Sequence, residues 1–156
     1  RSSLTQLAIY KVVSQYDPEF NVNMARNGED ARSGNVLIEG KATRVKEELT
    51  KTGKQRKGYG HDAAFQFHAM GDLEHARYLF VARSEVDLSL LRLYDISSAD
   101  NCRIVIDELN AKKDAWLAKG FQKRDVIAIT EDTILERCQF STQSVIEGCT
   151  VFRDSV

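Results

Sequence analysis

Glu29-Asp30-Ala31-Arg32-Ser33-Gly34-Asn35-Val36-Leu37-Ile38-Glu39-Gly40-Lys41 is the stretch on which the fold turns. Two extended runs flank Ser-Gly-Asn, a hairpin signal, and Gly34-Asn35 suits a two-residue loop with glycine where φ must be positive. Such a loop sets the register. Ser33 then falls opposite Val36, Arg32 opposite Leu37, Ala31 opposite Ile38, and Asp30 opposite Glu39. Two carboxylates facing each other across strands destabilise a sheet unless a cation sits between them. Strand periodicity places Lys41 on the face of Glu39, one step along. Gly40 points the other way and leaves the backbone open to close approach.

Outward from the hairpin, Ser2-Ser3 caps an expected helix over about residues 4–16, with Leu4, Leu7, Ala8 and Val12 on one face and Asp17-Pro18 ending it. Phe20 to Met24, Glu29 to Ser33 and Val36 to about Lys46 read as extended. A Gly/Lys-rich connector, Gly53 to Gly60, leads into a helix expected from His61-Asp62 to Gly71-Asp72, carrying Ala64, Phe65, Phe67, His68 and Met70. Tyr78 to Arg83 reads as a buried strand. Val86 to Leu90 alternates, and the double Leu90-Leu91 shifts the phase as a bulge would. Ser97 to Asp100 starts a helix with Ile104, Leu109 and Trp116; Asp125 to Thr130 is a strand, and Thr130 begins another helix. These elements predict a single domain over residues 1–156 of α/β (α+β) class, a mixed central sheet flanked by helices. Arg1 in place of Met leaves room for residues upstream.

Apolar runs such as Tyr78 to Ala82 are too short to cross a membrane, so no membrane partner is expected. Cys102, Cys138 and Cys149 are scattered, form no C-x-x-C pair, and fit a reducing cytoplasm without a zinc motif. The net charge of −1 argues mildly against nucleic acid, but charge is unevenly placed. Residues 41–57 hold seven basic side chains against two acids, whereas residues 85–156 hold nine basic and thirteen acidic ones. A basic run by itself is better explained by a solvated loop.

The hairpin trio has a definite chemical use. Mg2+ prefers one or two protein carboxylates, with water and phosphate oxygens completing its shell. A metal held by Asp30 and Glu39 can activate water and offset charge on a phosphate under attack, and Lys41 can hold the water or stabilise the pentacovalent phosphorus. The competing reading of the residues alone is a surface ribbon on which Glu39 and Lys41 form a weak salt bridge. Glu29 competes with Asp30 as ligand, but only Asp30 falls opposite Glu39. His68 and His75 read as structural, and Trp116 as core.

Asp30, a short turn, and Val36-Leu-Ile38 ending in Glu39-Gly-Lys41 resemble the D…(D/E)-x-K signature of the PD-(D/E)xK nuclease superfamily, and within it the PvuII-type restriction endonucleases. Glu29-Asp30-Ala31, Gly58-Tyr-Gly-His61, Tyr78 to Arg83, and Leu91 to Ile96 with Lys113 to Trp116 extend the resemblance over roughly residues 26–137. It implies a restriction-endonuclease-like fold, a prokaryotic cytoplasmic setting, and Mg2+ (with Mn2+ as substitute) but no organic cofactor. It further implies a homodimer clamping double-stranded DNA, each subunit cutting one strand. The basic stretch then becomes a DNA-facing element, with Arg44, Lys54, Gln55, Arg56, Lys57, Tyr59 and His61 as candidate contacts. The chain departs from that family in having His61 alone in the reading segment, Gly40 between the motif residues, a shorter segment before Asp30, and an extension at 139–156. A repair, recombination or phage nuclease on the same fold is the first alternative, and a DNA-binding module without activity the second.

Overall fold

The computed structural model describes residues 3–23, 31–45, 63–87, 89–120 and 126–155. In chain order its elements are α1 (Ser3–Val13), β1 (Phe20–Val22), β2 (Ala31–Ser33), β3 (Val36–Val45), β4 (Ala64–His68), β5 (Tyr78–Ser84), β6 (Leu90–Ile96), α2 (Ala99–Ala118), β7 (Val126–Thr130), α3 (Glu131–Arg137), β8 (Thr142–Ile146) and β9 (Cys149–Arg153). The hairpin has the register its loop dictates: Ala31 opposite Ile38, Arg32 opposite Leu37, Ser33 opposite Val36. Gly34 takes φ +56° while Asn35 stays out of the left-handed region, which is what a type II′ turn asks of its first central residue.

A seven-stranded mixed sheet grows from this hairpin in the order β1-β2-β3-β5-β6-β9-β8. The β3–β5 and β6–β9 pairs are parallel and the others antiparallel. All seven residues of β5 are buried, as suits a central strand covered on both faces. On one face, Leu79, Val81, Leu93 and Val151 pack with Ile9, Val12 and Val13 of α1. On the other, Tyr78, Phe80 and Tyr94 pack with Phe65 and Phe67 of β4, Ile127 and Ile129 of β7, Leu109 and Trp116 of α2, and Ile134 of α3. Helices thus flank a mixed sheet in an α+β arrangement. Ser98 caps α2 by accepting from the Asn101 N–H, and Thr130 caps α3 by accepting from the Thr133 N–H.

Three expectations are corrected. The segment read as a helix from His61 contains β4, which pairs antiparallel with β7 from Ala64–Thr130 to His68–Val126. Phe65 and Phe67 are buried while Gln66 and His68 are exposed, a period of two rather than 3.6. The face of α1 is divided: Val12 is buried with Ile9 and Val13, but Leu4 and Leu7 are 64% and 51% exposed. Residues 85–87 form a turn, so β6 begins at Leu90 instead of Val86. The extension at 139–156 joins the sheet, where β9 pairs with β6 and carries β8 on its outer side. The phase shift at Leu90-Leu91 is present as a register shift between Ala82 and Arg83 opposite β6.

Buried polar groups are mostly matched. Arg92 donates through both Nε and Nη2 to Glu131, whose carboxylate also accepts from the Tyr94 hydroxyl. Arg77 donates to both oxygens of Asp95 at 2.8 and 2.7 Å and to Asp17 at 2.8 Å. Asp17 also accepts from the Ser33 hydroxyl at 3.0 Å, tying the hairpin to the end of α1. Burial pushes the thiols of Cys102, Cys138 and Cys149 up to about 11, 12 and 12, so they stay protonated at neutral pH. Among the described residues no helix is long and apolar enough to cross a membrane.

Candidate active site

Glu39 and Lys41 lie side by side on one face of β3 because β3 is regular there. Their register partners on β5 are Tyr78 and Phe80, and the side chains of that row leave the sheet toward β4. Gly40 pairs with Leu79 on the opposite row. The Glu39 N–H donates to the Arg77 carbonyl at 3.1 Å, which fastens the strand where β5 begins. Both side chains are half-buried, a setting in which charge interactions are stronger than in bulk water.

The two charged groups have different neighbours. His75 Nε2 stands 3.2 Å from Glu39 Oε2, and the same nitrogen is 3.2 Å from the Asp72 carbonyl oxygen. Both oxygens only accept, so the proton belongs on Nε2. The hydrogen bond to Glu39 is the largest influence on His75 and raises its pKa above the ordinary value, with burial opposing it. Lys41 points its ammonium over the Phe67 ring, 4.6 Å from the centroid, so a residue of β4 steadies the cation. An open groove runs past Glu39 where β3 extends beyond the start of β5; Asn35, Leu37, Asp72, Glu74 and His75 line it.

His75 is the residue the sequence reading placed outside the site. It lies three positions before Tyr78, the register partner of Glu39, so the parallel β3–β5 pairing delivers it there. A parallel pairing between strands separated by a long crossover leaves no local signal of its register. Arg44, expected to face DNA beside the trio, pairs with Arg83 and sits on the row of Gly40 and Ala42, the sheet face opposite Glu39 and Lys41. Asp30, Lys54, Gln55, Arg56, Lys57, Tyr59 and His61 lie outside the described residues. So does the upstream half of the expected carboxylate pair.

Among the described residues, no three His, Cys, Asp or Glu side chains converge as a metal cage. Glu39 contributes oxygen donors at the rim of a groove that also carries the carboxylates of Asp72 and Glu74. The His75 imidazole shares that groove, 3.2 Å from Glu39 Oε2. No family model matches the chain, and no similar curated protein or solved structure is found.

Proposed function

We propose that the chain is a Mg2+-dependent DNA endonuclease of the PD-(D/E)xK type, a type II restriction enzyme that cuts both strands of a specific site by water attack on a phosphodiester. The observation that carries this reading is the placement of Glu39 and Lys41 on one face of β3, directly after a hairpin of fixed register. The register read from the sequence sets Asp30 against Glu39, and the two would then form a carboxylate pair.

Asp30 and Glu39 would hold the cation, which when bound acts as a Lewis acid toward the phosphate and lowers the pKa of a coordinated water. Lys41 supplies a positive charge on the same face, able to hold the attacking water and to offset charge growing on the phosphate oxygens. Phe67 limits the freedom of that ammonium, so less orientation entropy is lost when substrate arrives. His75 fixes the Glu39 carboxylate from the groove side. A doubly cut symmetric site calls for two such faces related by a dyad, hence a homodimer on double-stranded DNA.

Incubating the protein with plasmid DNA and Mg2+ and sequencing the fragment ends tests the reading. Discrete bands sharing one terminal sequence are expected. A smear, or nicks dependent on DNA structure, would instead favour a repair or phage nuclease. Binding with no metal-dependent cleavage would leave a DNA-binding module.

A further inference from the structure

We infer that Arg83 and Arg44 form a phosphate-binding site at the carboxyl ends of β3 and β5, on the sheet face opposite Glu39 and Lys41. Arg44 and Arg83 are direct register partners in the parallel ladder. Their side chains therefore leave the sheet on the same face, from backbones about 4.8 Å apart. Arg83 is only 7% exposed, and its Nη1 is buried with no hydrogen-bond partner. Burying a guanidinium without a counter-charge is strongly unfavourable, and proteins normally pair it or leave it in water.

Arg153 Nε is also buried without a hydrogen-bond partner, but its guanidinium lies over the Tyr16 ring. Arg92, as buried as Arg83, is held by Glu131, and Arg77 by Asp95 and Asp17. Among the described residues, neither Arg83 nor its neighbour Arg44 has an ion pair. Asp87, on the turn that follows β5, already accepts from both the N–H and the hydroxyl of Ser89. Two cations side by side repel each other unless an anion lies between them, and a tetrahedral oxyanion offers each planar fork its own pair of acceptor oxygens.

Phosphate chemistry is favoured over an isolated carboxylate because two guanidiniums on adjacent register positions suit a group with more than two acceptor oxygens. The ligand is a phosphate oxyanion, supplied either by a nucleic-acid backbone or by free phosphate. The site stands on these two cations and does not depend on hydrolysis at Glu39.

The test uses the full chain in EDTA, so that no cleavage intervenes. Melting temperature is read in inorganic phosphate against chloride at matched ionic strength, and affinity for a fluorescent duplex is read against salt. Wild type should be stabilised by phosphate, by the duplex, or by both. Protection by both makes the site open to free phosphate, and protection by the duplex alone assigns it to backbone diesters. Arg44→Gln, an exposed change that leaves the core untouched, should weaken duplex binding several-fold, lower the salt slope by about one, and remove any phosphate effect. Arg83→Lys should retain part of the effect and Arg83→Gln none. Failure of both ligands to stabilise wild type, or binding by Arg44→Gln equal to wild type, overturns the site. Glu39→Gln is the control that separates the two readings: it should abolish cleavage and leave this binding unchanged.

Discussion

Glu39 meets His75 across the groove, and this contact gives the site a measurable pH signature of its own. The folded pKa of His75 is raised, chiefly by the hydrogen bond to Glu39. A group whose pKa rises on folding stabilises the fold fully below its unfolded value and ceases to do so as pH climbs through the folded value. The contribution is therefore complete below the ordinary 6.5 and lost as pH rises through the raised folded value. Chemical denaturation of wild type and His75→Gln without metal should show the larger gap at about pH 5 and little gap at about pH 9. A gap that grows with pH would mean that Glu39 does not hold the imidazolium. Asp17 behaves with the opposite sign. Burial raises its pKa, but hydrogen bonds from Arg77 and Ser33 outweigh that and hold it below the usual carboxylate range. Its stabilisation is present above the unfolded value and fades as acid protonates it.

At the scale of elements, the β2–β3 hairpin and β4 show what the sequence could and could not tell. The hairpin was legible because a two-residue turn fixes pairing locally: Gly34 at positive φ sets Ala31 against Ile38 with no help from the rest of the chain. Gly34→Ala should destabilise the protein by about 1 kcal/mol, since alanine resists that φ, and equal stability in urea would show the turn has relaxed. The sequence around β4 is locally ambiguous, since Ala64, Phe65, Phe67 and His68 can be drawn on a helix as easily as on a strand. What settles the matter is non-local, the pairing with β7 and the stacking of Phe65 on Phe80 at 4.8 Å. The placement of His75 was hidden for the same reason, as it follows from parallel pairing across a crossover. Phe67→Ala should cost roughly 3–5 kcal/mol in stability, as removal of a buried phenyl group does, and would also release Lys41.

At the scale of the whole molecule, two buried ion clusters join elements distant in sequence. Glu131 is fully buried between Arg92 and Tyr94, so it links α3 to the central sheet. Glu131→Ala would take the carboxylate from both Arg92 and Tyr94 and should cost about 3–5 kcal/mol by calorimetry, whereas a near-neutral result would mean the pair contributes little to the fold. The apolar residues left outside the core bear on assembly. Leu4 and Leu7 stay largely exposed, so Leu4→Glu with Leu7→Glu should preserve the fold and dissociate any dimer formed through α1. Sedimentation of wild type and variant at micromolar concentration reads this, and a wild-type monomer that still makes double-strand breaks would remove the need for that interface.

The proposed activity places phosphodiester hydrolysis with a divalent cation on one face of β3. Plasmid cleavage in Mg2+ by Asp30→Ala, Glu39→Ala and Lys41→Ala, each checked for melting temperature and DNA affinity, tests it most directly. Wild type should cut, EDTA should stop it, and each variant should fold and bind DNA as wild type does without cutting. Full activity in any one of the three, or wild-type cleavage that survives excess EDTA, would contradict the claim.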